Sequence, residues 1–125
     1  MFFSNQQFLG IFSIDDADVD FRIGNPVYIV EANLIRAVAT VIEPLSAGAS
    51  MTVKFGREKP DGSIQMASTN LVVNDSAQKG QQVRVFSRTG LLALTSGDVL
   101  VINIITDGDP TTGKIALWGS FVARR

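Results

Sequence analysis

The chain has 125 residues, enough for one domain whose core needs no metal or disulfide staple. It contains no cysteine and no histidine, which excludes thiolate chemistry, disulfides and imidazole as general base or metal ligand. With 11 basic and 12 acidic residues the net charge is −1, so there is no electrostatic case for nucleic acid or an anionic membrane as partner.

Charged residues make up only 18% and hydrophobic ones 46%, where soluble domains usually carry about 25% charge. A monomer of that composition has an apolar surface, and burial in an oligomer or a larger particle resolves it. The opening MFFSNQQFLGIFSIDD has no positive n-region and no unbroken apolar core, and acids follow it at once. It does not read as a secretory signal. No apolar run approaches the roughly 20 residues of a membrane-spanning helix. The expectation is a soluble chain without an export signal.

Taken in chain order, the apolar runs are short, β-rich and separated by Gly, Pro, Asn or Asp. Gln7 to Ile14 reads as a strand. Val19 to Ile23 alternates, with Val19, Phe21 and Ile23 on one face. Gly24-Asn25-Pro26 breaks it, and Val27 to Val30 is a short strand or edge segment. Asn33 to Glu43 is a strand by its alternation, with Ile35, Ala37, Ala39 and Val41 sharing a face. Met51 to Phe55 points Met51, Val53 and Phe55 inward. Pro60-Asp61-Gly62 is a turn signal. Ile64 to Met66, Leu71 to Val73, Gln82 to Phe86 and Leu91 to Leu94 follow as short strands. Asp75 to Gln81 is the one stretch with the look of a helical turn, with Asp75 or Ser76 as cap.

The closing pair, Val99 to Thr106 and Lys114 to Val122, is joined by DGDPTTG. Val99 to Thr106 is apolar on both faces: Val99, Val101 and Ile105 with Asn103 on one, Leu100, Ile102, Ile104 and Thr106 on the other. A half-exposed antiparallel strand alternates. One that does not is covered twice, and in a small chain the second cover is expected to be another copy. On the last strand Trp118 shares a face with Ala116, Ser120 and Val122, opposite Ile115, Leu117 and Phe121. It therefore faces out as an interface anchor. Gly119 beside it marks a bulge or a close backbone approach. The whole reads as an all-β antiparallel sandwich of about eight to nine strands, with little or no helix, in one domain over residues 1–125.

Catalytic signatures are missing. The acids Asp15, Asp16, Asp18 and Asp20 do not follow the spacing of an EF-hand loop; they read as a solvated turn or as acids facing a basic patch on a partner. Asp107 and Asp109 belong to a turn, and Asp98 is placed to bond the amides of the turn before it. The serines Ser63, Ser68, Ser87, Ser96 and Ser120 lack a GxSxG elbow and an activating histidine. No glycine pattern forms a phosphate loop. No catalytic, cofactor or metal residue is assigned. The interface candidates are Phe2, Phe3, Phe8, Phe12, Trp118, Val122, Arg124 and Arg125, the last two as a basic tail over 123–125.

From Leu34 to Val122 the order is a strand, Pro44-Leu45-Ser46-Ala47-Gly48-Ala49-Ser50, the strand Met51 to Phe55, the turn Pro60-Asp61-Gly62-Ser63, and the strand entry Leu94-Thr95-Ser96-Gly97-Asp98-Val99-Leu100. A glycine-containing hairpin and a final strand complete it. This resembles the small jelly-roll domains of tailed-phage virion proteins, which serve as head decoration (cement) proteins and as tips of tail fibres. The resemblance implies a jelly-roll core over 34–122, with residues 1–33 as completing strands or an arm. It further implies a non-enzymatic homotrimer on the virion head surface, made in the host cytoplasm without a cofactor. Its partners would be other copies and the major capsid protein, with no nucleic acid and no membrane. The short N-terminal part favours decoration; the alternative is a receptor- or glycan-binding tail-fibre or baseplate tip.

Overall fold

The computed structural model describes residues 4–23 and 31–123. The expected strand Val27 to Val30 and the residues Phe2, Phe3, Arg124 and Arg125 lie outside them. Among the described residues ten strands run in the order β1 (Ser4–Ser13), β2 (Asp20–Arg22), β3 (Ala32–Glu43), β4 (Ser50–Glu58), β5 (Ile64–Met66), β6 (Leu71–Asn74), β7 (Gln82–Phe86), β8 (Leu92–Leu94), β9 (Val99–Asp107) and β10 (Lys114–Ala123). A 3-10 turn, Ile14–Asp16, the single one among the described residues, lies between β1 and β2.

The strands form two antiparallel sheets. Sheet A has the order β1-β10-β3-β7, with β8 beside β7 on the same strand β3. Sheet B has the order β2-β9-β4-β5, with β6 likewise on β4. Ten strands therefore fill eight columns, because the outer column of each sheet is split into two short pieces. The all-β sandwich agrees with expectation; the expected eight to nine strands become ten because each outer column is split.

The core is the space between the sheets, filled by alternate residues from each. Met51, Val53 and Phe55 of β4 face Leu34, Leu117 and Phe121 of β3 and β10, and all are essentially inaccessible to solvent. Gly119 is inward too. A Cβ there would stand 3.0 Å from Leu9, 3.1 Å from Leu34 and 3.2 Å from Phe121, so the expected close approach is present.

Bulges move residues between faces in ways that alternation alone does not reveal. Between Leu34 and Arg36 the pairing with β10 slips by one residue, at Ser120/Phe121. Leu34 and Ala37 are consequently both buried, and Ile35, expected inward, is only half-buried. On β1 the slip falls between Phe8 and Gly10, where Gly10 has φ 142°, a value that favours glycine. Phe8 then points outward and Phe12 inward, although two-residue periodicity puts both on one face. Phe12 is a core residue and meets Phe21 of sheet B edge-on, with centroids 5.2 Å apart. Its reading as an interface residue is corrected by that burial. Phe8 and Phe12 lie in a paired strand, not in a free arm.

The predicted turns have their expected chemistry. Gly62 (φ 88°) closes the β4–β5 turn by donating to the Lys59 carbonyl, and Asp61 accepts from the Ser63 amide and hydroxyl. The Ser63 hydroxyl bond is the main cause that lowers the Asp61 pKa from its ordinary value. Asp75 to Gln81 differs from expectation: it makes two tight turns and no helical one. The Asp75 carboxylate, instead of capping, accepts from the Gly48 amide 27 residues away. That long-range bond removes the N-cap a helix there would need.

Candidate interaction surface

Strand register sets the outward face of sheet A as three straight rows across four strands. The first is Gln6–Ser120–Arg36–Phe86, the second Phe8–Trp118–Val38–Arg84, and the third Ile11–Ala116–Thr40–Gln82. Nothing in the described residues lies over them as a further layer. Phe8 (49% exposed), Ile11 (56%), Phe86 (62%) and Trp118 (36%) stand in solvent around Val38, which is buried but not part of the core. Phe8 and Trp118 pack at 5.0 Å with rings tilted by 57°, a pairing that contributes about 0.5–1.5 kcal/mol beyond its area. Large exposed apolar residues gathered on one sheet face mark an interaction site more often than scattered ones do.

The charged members of these three rows are both positive. Arg36 and Arg84 are their two cations, and none of the twelve positions is Asp or Glu; the next register row is Ser13–Lys114–Glu43. Arg36 Nη2 reaches the buried Ser120 hydroxyl at 3.5 Å, while its Nε is buried without a hydrogen-bond partner. Arg84 donates to Gln82 at 2.9 Å.

The outward face of sheet B also exposes apolar side chains, Ile64, Met66 and Val72 on its outer column, but at its centre the chain provides its own cover. Val101 of β9 is fully buried outside the core. Its register neighbours are Arg22 on β2 and Gly56 on β4. Arg22 reaches across β9 to Glu58 at 2.7 Å, and Met66 fills the space that a side chain at Gly56 would take. The Glu58 carboxylate, through its hydrogen bond first and its charge second, holds the Arg22 pKa above its ordinary value. One row further, Asn103 donates to Asp20 at 2.9 Å. The expectation that another copy covers the second face of Val99 to Thr106 is thus corrected at Val101. An ion pair straddling the strand and a methionine provide that cover.

The acidic segment lies at the edge where the chain passes from sheet A to sheet B. Ser13 caps the 3-10 turn in a capping box: its hydroxyl accepts from Asp15 N at 3.2 Å, and Asp16 accepts from Ser13 N at 2.8 Å. Asp18 has φ 64°, and its amide donates to Ile104 at 2.8 Å. Among the described residues these carboxylates form no ion pair within 4 Å, and no group of three or more acids gathers as a metal site. Val19 between them is 46% exposed, not inward as expected, because it precedes the paired residues of β2.

The opposite edge holds a cleft of about 360 Å³ between the short strands β5 and β8, with Arg57, Gln65, Met66, Ser68 and Leu92 in its lining. Arg57 donates to Gln65 at 2.9 Å and to Asp98 at 3.0 Å. Asp98 is buried and also accepts from the Thr95 amide at 2.8 Å, the turn bond expected of it. Burial alone would raise its pKa; the Thr95 amide, the Thr95 hydroxyl and Arg57 outweigh burial and lower it.

Of the sequence-derived interface residues, Phe8 and Trp118 come together on sheet A, Phe12 is in the core, and Val122 is half-buried at the end of β10. The sequence reading missed Ile11, Phe86, Arg36 and Arg84 as members of this face. Arg36 and Arg84 sit on different strands, and only register brings them to one side. No protein-family model matches the chain, and neither does any curated protein.

Proposed function

We propose that the chain is a non-enzymatic structural protein of a virus particle: a head decoration (cement) protein that assembles as a homotrimer and stabilises the shell where capsomers meet. The observation that carries the assembly part is the outward face of sheet A, with four large apolar side chains in solvent on one sheet face. On sheet B the central outward residue Val101 is covered by the chain itself, and the exposed Ile64, Met66 and Val72 lie on its short outer strands.

A jelly-roll winding belongs to this reading. The strand order supports it: β1 and β10 are neighbours in sheet A, β2 and β9 in sheet B, and β3 and β4 are the next columns inward. First pairs with last and second with second-last, as when one long hairpin is rolled up into two Greek keys.

Cryo-electron microscopy of particles from the virus that encodes the chain tests the role. Copies on the outer head surface between capsomers are the expected result; heads without them overturn it. A second reading, a receptor- or glycan-binding tip, draws on the cleft beside Arg57, Gln65 and Ser68. It predicts copies on the tail and binding to host surface polysaccharide.

A further inference from the structure

We propose that the outward face of sheet A receives the acidic β1–β2 turn of a second copy, so that the chain associates head to tail. This rests on the self-assembly part of the reading above and is independent of any place in a virion.

The two surfaces are complementary in charge. The three rows form an apolar field of Phe8, Trp118 and Phe86 with Arg36 and Arg84 set into it and no acid among them. The turn inverts this: the exposed side chain of Val19 stands between Asp18 and Asp20, with Asp15 close by in sequence.

Arg84 supplies the sharpest argument. Its side chain is exposed and its guanidinium donates to the neutral Gln82 side chain at 2.9 Å, with no carboxylate in ion-pair distance among the described residues. A guanidinium is met best by a carboxylate, which takes two of its N–H groups at once. None of the twelve positions of the three rows carries a carboxylate. The acids of the β1–β2 turn are the reciprocal case, with no cation in ion-pair distance among the described residues.

Geometry then sets the kind of assembly. The turn lies on the edge where β1 leads into β2, whereas the face looks outward from sheet A. Turn and face are two different patches, so a contact repeated in one direction is heterologous and closes into a ring, or runs on as a filament where the rotation does not close.

The experiment uses two charge variants and light scattering. Arg84→Glu alters the face at an exposed position, and Asp15→Lys with Asp18→Asn alters the turn while keeping a residue that tolerates the positive φ of position 18. Wild type is expected to scatter as more than one chain and to move toward single chains between about 0.05 and about 0.5 M salt, as screening weakens the contact. Each variant alone is expected at the mass of one chain, 13.5 kDa. Mixed in equal amounts they are expected to form a complex of two chains, because one keeps an intact turn and the other an intact face.

Circular dichroism melts at wild-type temperature establish that both variants fold. If the turn variant keeps the wild-type mass, the turn is not the occupant. If the mixture stays at one chain, the contact is not head to tail. A monomeric wild type removes the self-association surface altogether. None of these outcomes depends on where the protein sits in a particle, so they are separable from failure of the decoration role.

Discussion

Arg57 Nη1 donates to Asp98 Oδ2 at 3.0 Å and thereby ties the two sheets together at their open edge. Arg57 ends the inward row of β4 in sheet B. Asp98 lies on the connection that leaves β8 in sheet A, and it also holds the Thr95 amide and hydroxyl. One buried carboxylate thus closes a turn and binds the crossover to the facing sheet.

Removing that carboxylate leaves a partly buried guanidinium and a turn amide without their acceptor. Asp98→Ala is expected to cost about 2–4 kcal/mol, read as a fall in the urea midpoint with an unchanged slope. Arg57→Leu combined with Asp98→Ala is expected to cost less than the two single changes added, since neither leaves a charge behind. Additive losses would show that the pair does not act as a unit.

The same group sets an acid limit. The Asp98 pKa is lower in the folded chain than in the unfolded one, where it is about 3.9. Its stabilisation is therefore complete above the unfolded value and is lost as pH falls through the folded value. Thermal melts at pH 7, 4 and 2 are expected to fall more steeply for wild type than for Asp98→Asn at the acid end. Parallel curves would remove Asp98 from the acid response.

Gly119 has no room for a side chain: three core residues from three strands stand 3.0–3.2 Å from where a Cβ would be. Gly119→Val is expected to destabilise by about 3 kcal/mol through overpacking. Gly48→Ala makes a useful contrast, because that position has open space but φ 82°. Its loss of about 1 kcal/mol would come from backbone strain alone.

Phe8 and Phe12 are expected to separate stability from assembly. Phe12→Ala opens a cavity in the core and is expected to cost about 3–5 kcal/mol. Phe8→Ala is expected to cost about 1–2 kcal/mol, from the lost Trp118 pairing and half-buried area, but to lower the solution mass. Trp118→Asp is expected to shift the chain to monomer or to aggregation; an unchanged oligomer excludes Trp118 from the interface.

Most strands are legible in the sequence because each is a local pattern. Ile64–Met66 and Gln82–Phe86 begin and end where the breakers around them predict. Alternation in Met51, Val53 and Phe55 needs only the pleat of one strand, and their burial follows. The same holds for Trp118, which is outward because Ile115, Leu117 and Phe121 are inward. Positions such as Ile35 and Phe12 were not legible, since a bulge is a property of two strands and not of one.

The sequence by itself determined the all-β character, the turns at Gly62 and Gly108, and the absence of histidine and cysteine chemistry, since these are matters of composition and of neighbours along the chain. Only the tertiary structure decided what covers Val101 and what remains bare. Arg22 and Glu58 are 36 residues apart in sequence and meet across β9 only because β2 and β4 flank it. Phe8, Trp118, Phe86 and Arg84 likewise come from three separate strands, and their shared face exists only once the register of sheet A is set. An interface is made of side chains brought together by pairing, and pairing is the part of a β-fold that no single strand encodes.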